Sequence, residues 1–397
     1  MLRNLKISKI NKLILAVSLG LSHQVIAKDI AFSTITVEEA RIAKAINTMP
    51  NVAERLAERV KLFKQQINQD NNYTVLTQLV LRHAPALWQD AKISYRKSAD
   101  LDDRPLYWSR LQMTKALRTS KGFVKLFPNQ QQKLLSTFEL LSRGQADVKF
   151  DKKAEKKILL TGFDPFFLDR HIDQSNPSGV VALSLDDIVL SIDGKTAEVE
   201  VLIVPVRFAD FDQGMIEELL SPYIANKNVD MVVTVSMGRE NFDLERYPAL
   251  RRSAKAPDNL NIYTGASTQT PLVPLLKSEV LKGPEFVEFS LPVNAMKKGA
   301  GKYKVNDNRQ VSTLAKSERF SAQSLAEIID QTSVSGSGGG YLSNEISYRS
   351  IVLRNKYNPS LPVGHIHTPR IKSFNQQALT DIVNQTKNII TQGVAKF

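Results

Sequence analysis

The chain has 397 residues, is 42% hydrophobic and carries a formal charge of +13, which is enough apolar side chain for a sizeable core and enough length for two domains. It contains no cysteine, which excludes disulfides and thiolate metal sites and leaves stability to packing. The positive excess is scattered, apart from clusters such as Lys152, Lys153, Lys156 and Lys157. With neither zinc-finger spacing nor a basic-aromatic RNA-binding run, such charge points to solubility or weak adhesion to anionic surfaces, not to a nucleic-acid site.

Residues 1–27 have the layout of a secretory signal. Arg3, Lys6, Lys9 and Lys12 form a basic start, Leu13 to Leu21 an apolar centre, and Val25-Ile26-Ala27 a cleavage end. The apolar stretch is short against the roughly 20 residues that a membrane span needs. Cleavage predicts a mature protein beginning near Lys28, periplasmic or secreted, with no stable membrane insertion; an uncleaved anchor is the alternative. Without its four basic residues the excess falls to +9 (49 basic, 40 acidic). Lack of cysteine fits export, because an exposed thiol oxidises outside the cytosol.

Residues 28–150 predict a helical accessory domain. Val37 to Gln65 places Ile42, Ile46, Val52, Leu56, Val60 and Phe63 at helical steps among Ala, Glu, Arg and Lys. Further helices are predicted at Tyr73–Ala91, Leu106–Arg118 and Asn129–Leu141, the last with Leu134, Leu135, Phe138 and Leu141 on one face. Pro50, Pro85 and Pro128 punctuate the segment. Trp88 and Trp108 read as packing residues. No catalytic constellation occurs here, and the basic stretch Asp147–Lys157 joins this segment to the remainder of the chain.

Residues 151–397 change to an α/β pattern. Ile158-Leu159-Leu160 opens into Thr161-Gly162-Phe163 as a buried strand feeding a loop. Val199–Val206 and Met231–Val235 predict strands, Asp212–Ala225 a helix between them, Ser321–Gln331 a helix, and Ser373–Gln392 a terminal amphipathic helix. Strands alternating with helices imply a mostly parallel sheet flanked by helices. Ser333–Gly340 has the composition of a flexible linker. His365 and His367 share a face if their stretch is a strand, but a third metal ligand is lacking, so no metal is assigned.

Six fragments in order carry a resemblance. They are Thr161-Gly162-Phe163-Asp164-Pro165-Phe166, Asn176-Pro177-Ser178, Gly238-Arg239 with Leu244-Glu245-Arg246, Pro257-Asp258-Asn259, Ser337-Gly338-Gly339-Gly340-Tyr341-Leu342-Ser343-Asn344, and Gly364-His365-Ile366-His367-Thr368-Pro369. Over residues 157–371 the chain resembles pyroglutamyl peptidase I, a cysteine peptidase family; residues before 150 lie outside the resemblance. It implies a pyroglutamyl-peptidase-like α/β fold and a hydrolase that removes an N-terminal pyroglutamyl or related residue from peptides with a blocked N-terminus. No cofactor is implied, and a homo-oligomer is, since the family commonly assembles.

By the same resemblance, Glu245, Ser343 and His367 fall on the family's Glu, Cys and His, and Ser333–Gly340 is a loop leading to Ser343 instead of a linker. Phe163 and Phe166 are candidates for the lactam slot or for core packing, and Arg239 and Lys255 for its polar support. Ser343 stands where the family has its thiol, so His367 must act as general base instead of stabilising a ready-made thiolate. A serine hydrolase and an inactive binding or scaffold protein are therefore both open. Lys255 replaces the family's Arg and lacks its planar fork. Phe167-Leu168 replace a Gly-Gly pair, and Val235-Ser236-Met237 replace a Gln-Ala-Gly run. The interval Leu260–Gln323 is longer than the family's, and is expected to cover the site or alter assembly.

Overall fold

The apolar run at Ile158 lies in strand β1, Lys157–Phe163, at the middle of the sheet in a computed structural model that describes residues 32, 34–98, 100–316 and 318–396. The leader expected over residues 1–27 falls outside the described residues. The other strands of this sheet are β2 (Ile188–Ile192), β3 (Lys195–Val204), β4 (Met231–Met237), β5 (Phe242–Glu245), β6 (Val305–Asn308) and β7 (Val363–Thr368). Their spatial order is β2-β3-β1-β4-β7-β5-β6. β3, β1, β4 and β7 run parallel, β2 and β5 are antiparallel to their neighbours β3 and β7, and β6 is parallel to β5. The fold is thus α/β with a mostly parallel sheet. Nearly every residue of β1, β4 and β7 is buried, as expected of parallel strands covered on both faces.

The helical region supplies α1 (Ala57–Ile67), α2 (Tyr73–Ser98), α3 (Arg104–Thr119) and α4 (Pro128–Leu141). The α/β part adds α5 (Pro177–Leu185), α6 (Met215–Ala225), α7 (Leu342–Tyr357) and α8 (Gln376–Val394). α5 packs with α8 and against β1 and β3, whereas α6 packs with α7, which lies on β4 and β7. One hydrophobic core runs from Phe63, Trp88 and Phe138 through Leu159 and Val201 to Ile346 and Ile366. From Phe32 onward the chain is one compact unit. No helix among the described residues is long and apolar enough to cross a membrane.

Several expected elements differ in detail. The helix anticipated over Val37–Gln65 is four shorter ones, Val37–Ala40, Ile42–Thr48, Pro50–Ala53 and α1. Met49, with φ −147° and ψ 64°, turns the chain before Pro50, which starts the next piece; proline restricts its predecessor and suits a first helical position. The helix over Asp212–Ala225 is interrupted at Gly214, whose φ of 87° is left-handed.

The helix expected at Ser321–Gln331 is not formed. Phe320–Ser321 pairs antiparallel with Gln310–Thr313, which also pairs with Ser333–Ser335, and only Leu325–Glu327 makes a single 3-10 turn. Ala322 and Ile328 instead enter a small separate core with Phe286 and Val311, so tertiary burial overrides local propensity. Of the two readings of the Ser/Gly run, the linker does not hold, since residues 333–338 are buried; the run is a packed segment leading into α7.

Candidate active site

The motif fragments converge at the carboxyl ends of β1, β4 and β7, where open parallel sheets place their ligands. His367 is the penultimate residue of β7, paired in register with Ser236 on β4 and Asp243 on β5. Its Nδ1 lies 2.5 Å from Glu245 Oε1. A carboxylate oxygen only accepts, so Nδ1 is the donor to an ionised Glu245, and in the neutral ring this leaves the lone pair on Nε2. Glu245 is fully buried and His367 is 5% exposed, so this pair is shielded from solvent. Gly238 permits the arrangement, because a Cβ there would come within 2.5 Å of the His367 Cβ.

The carboxylate has a second partner that no motif announced. Asn308 Nδ2 donates to Glu245 Oε2 at 2.8 Å and to the Ser337 carbonyl at 3.0 Å. Two residues earlier on β6, Asn306 Nδ2 donates to Asp243 Oδ1 at 2.9 Å, while burial pushes the Asp243 carboxyl up. Both asparagines belong to the long interval Leu260–Gln323, so that interval completes the carboxylate side of the site. Their i, i+2 spacing puts them on one face of a strand. That alternation was the available signal, but nothing local told which strand would lie beside it.

His365 faces the same way, with its ring 4.8 Å from that of His367. Its Nδ1 meets Thr234 Oγ1 and its Nε2 meets Ser236 Oγ, each at 2.8 Å. Both nitrogens are therefore engaged by hydroxyls, and burial, with His367 second, holds its pKa well below the usual histidine value. A His365/His367 metal pair does not fit this bonding. Among the described residues, Asp147, Asp186 and Asp187 have metal-ligand spacing, but the Lys92 ammonium sits within 2.5–2.8 Å of all three.

Ser343 occupies the second position of α7, behind the N-cap Tyr341. The unbonded amides and dipole of a helix start favour negative charge there. Its Oγ donates to the Gly338 carbonyl at 3.5 Å; among the hydrogen bonds of the described residues, none joins it to His367. The loop before it is firmly held. Ser337 exchanges bonds with Tyr247, and Asn344 pairs both ways with the Ala249 backbone. Gly336 lies against those same groups, where a Cβ would come within 2.2 Å of Asn344 Oδ1.

Ser343 lines a small cavity of about 40 Å³ whose apolar walls include Phe163, Phe166, Val206, Met237, Tyr341 and Leu342, with Ser236 and Asn176 adding polar atoms. Both candidate phenylalanines thus face it, although Phe163 is 97% buried and also stacks on Phe211. Arg239 and Lys255 lie outside this lining. Arg239 is half-exposed and faces Asp243 at 3.6 Å. Ser253 and Ala254 both donate to the Gly340 carbonyl, after which Lys255 emerges at the surface.

The remaining motif residues scaffold the phenylalanine loop. Asn176 donates to the Asp164 carbonyl and Asn259 to that of Pro165, at 2.8 and 2.9 Å. The Asp164 side chain is gripped by Arg110 at 2.5 Å and Arg143 at 2.7 Å, both buried and both from the helical region or the turn after it. Asp103, just before α3, accepts from Ser175 Oγ and the Asn176 amide. The helical region therefore buttresses the cavity without lining it.

Known proteins match this chain in two ways. The family described as "PA0049 N-terminal domain" matches residues 22–139, and "PA0049, C-terminal domain" matches residues 157–291 and 300–372. An uncharacterized protein, PA0049 of Pseudomonas aeruginosa, is 26% identical over 394 residues, covering 76% of this chain and 71% of that protein. Among solved structures, a mutant pyrrolidone carboxyl peptidase from Pyrococcus furiosus aligns with TM-score 0.41 and 21% identity, over 60% of this chain and 99% of its own. Pyroglutamyl peptidase I of Bacillus amyloliquefaciens aligns with TM-score 0.42 and 21% identity, over 61% of this chain and 98% of its own.

Proposed function

The chain belongs to the PA0049 family, and from the geometry of its site we propose that it is a serine hydrolase of the pyroglutamyl-peptidase type. The observation that carries this reading is the buried Glu245–His367 pair at 2.5 Å, with His367 at the carboxyl end of an interior strand. Ser343 Oγ attacks the carbonyl of an N-terminal pyroglutamyl or related residue, and His367 Nε2 takes its proton. Glu245 holds the imidazole in that tautomer and stabilises the imidazolium. Amides at the start of α7 receive the oxyanion. His367 then protonates the leaving amine, and water resolves the acyl-enzyme. Phe163 and Phe166 form the apolar wall for the ring. The arrangement calls on no metal or cofactor, and the leader-like residues 1–27 support a periplasmic or secreted setting.

A second reading, a binding protein that has lost catalysis, draws on the Ser343 hydroxyl bonded to Gly338 instead of to imidazole. One experiment separates them. A chromogenic pyroglutamyl amide is offered to wild type, Ser343→Ala and Ser343→Cys. Turnover by wild type that the alanine variant abolishes supports the hydrolase. Activity only in the cysteine variant supports a competent pocket without a nucleophile, and silence in all three rejects the pyroglutamyl substrate.

A further inference from the structure

The helix whose second residue is Ser343 ends beside a second cavity. Arg354 lies in its last turn, eleven residues on and so about 16 Å away along the axis. The cavity, about 360 Å³, opens between this end of α7, the extended segment 284–289 and the turn around 325–329. Phe286, Phe289, Leu325 and Ile329 give it apolar walls. That size falls within the range of small-molecule sites.

Arg354 is 93% buried, yet its guanidinium meets no carboxylate among the described residues. Nη2 donates to the Glu288 carbonyl at 2.7 Å, and Nε is buried without a partner. Other buried arginines of this chain behave differently. Arg110 and Arg143 face Asp164, and Arg252 and Arg349 face Glu345. A buried cation without a counter-charge is strongly disfavoured. The carbonyl end of α7 favours positive charge, but that does not supply the missing acceptor at Nε. The Glu288 carboxylate belongs to the same wall and is drawn to Arg246, 3.4 Å away. Burial lowers the Arg354 pKa, and the Glu288 charge offsets this only in part.

We propose that this cavity binds a small carboxylic acid with an apolar body, its carboxylate on the Arg354 fork and its chain against Phe286, Phe289, Leu325 and Ile329. Arginine's planar donors match a carboxylate, and the walls match a hydrocarbon of modest length. The assignment is independent of whether Ser343 is a nucleophile.

The test uses the full chain with octanoate, 1-octanol and octylamine, monitored by thermal unfolding and calorimetry. Octanoate is expected to raise the unfolding temperature by several degrees, and the alcohol and amine to have little effect. Arg354→Met is expected to abolish the octanoate shift while unfolding no earlier than wild type without ligand. Ser343→Ala is expected to keep the shift, which separates this cavity from the one beside Ser343. If Arg354→Met does not fold, Ile329→Trp, which fills the cavity with Arg354 in place, must remove the shift instead. N-acetyl-dileucine, compared with its amide, distinguishes a peptide C-terminus from a free fatty acid as the natural source of the carboxylate. No octanoate binding up to about 10 mM, equal binding of octanol, or an undiminished shift in a folded Arg354→Met overturns the proposal.

Discussion

The two halves of the candidate active site are built to different tolerances. On the base side, His367 is bonded to Glu245, Glu245 to Asn308, and the neighbouring His365 to Thr234 and Ser236, all within buried strands. On the nucleophile side the loop backbone is fixed through Ser337 and Asn344, but the Ser343 hydroxyl has one long bond, to Gly338. A polar group buried among strands must be satisfied in place, whereas a half-buried hydroxyl at a helix start can turn about one torsion. The His367 side is thus fixed by its bonding, and the Ser343 hydroxyl is held only loosely.

The sharpest test of this contrast is Glu245→Gln. It removes the charge that fixes the tautomer while retaining shape, so kcat on a substrate of the wild type is expected to fall by about 10³–10⁴-fold with KM nearly unchanged. Steady-state kinetics alongside circular dichroism check it, and an unaltered kcat would remove Glu245 from the machinery.

Next comes Asp164→Asn, which leaves the buried Arg110 and Arg143 without their shared counter-charge. Breaking such a pair costs about 3–5 kcal/mol, to be read from denaturant unfolding. A change below about 1 kcal/mol, no more than an exposed ion pair is worth, would mean that the helical region does not hold the phenylalanine loop through this charge.

Asn308→Ala should be milder, since hydrogen bonds to charged groups are worth about 1.5–3 kcal/mol. A roughly tenfold fall in kcat is expected, with Asn308→Asp worse at neutral pH because it sets a second carboxylate against Glu245. Equal kinetics in both variants would show the base side to be less dependent on β6 than its bonding suggests.

The smallest effect concerns pH. His365 is held neutral, with a folded pKa well below the unfolded value of about 6.5. Its contribution is therefore fully present above pH 6.5 and is lost as pH falls below it, by at most about 1.4 kcal/mol per pH unit. His365→Asn should flatten the pH dependence of unfolding free energy between about pH 6.5 and 5; an unchanged slope would assign the acid sensitivity elsewhere.

Local pattern was a good guide to the main sheet and its helices. Ile158-Leu159-Leu160, Met231–Val235 and the faces of α4 and α8 declare themselves by continuous or periodic apolar residues, and strands alternating with helices dictate parallel pairing. It misled at Ser321–Gln331, where Ala322 and Ile328 are drawn into a small core with Phe286 and Val311. At Ser333–Gly340 composition alone suggested a linker where the resemblance implied a loop; the run is buried because Gly336 and its neighbours pack against residues 247–249.

The same division holds at the site. The resemblance of short motifs to pyroglutamyl peptidase I marked Glu245, Ser343 and His367 as candidates, because such motifs keep their order and spacing around strand ends and turns. Composition established that no nucleophile here is a thiol, since there is no cysteine. Only the tertiary structure decided that Asn308, 63 residues from Glu245, holds its carboxylate, that Lys255 emerges at the surface, and that Arg354 is buried with no carboxylate in ion-pair contact among the described residues. Those facts depend on which strand lies beside which and on what shields a charge from water, and such long-range pairings leave no periodic trace in the chain.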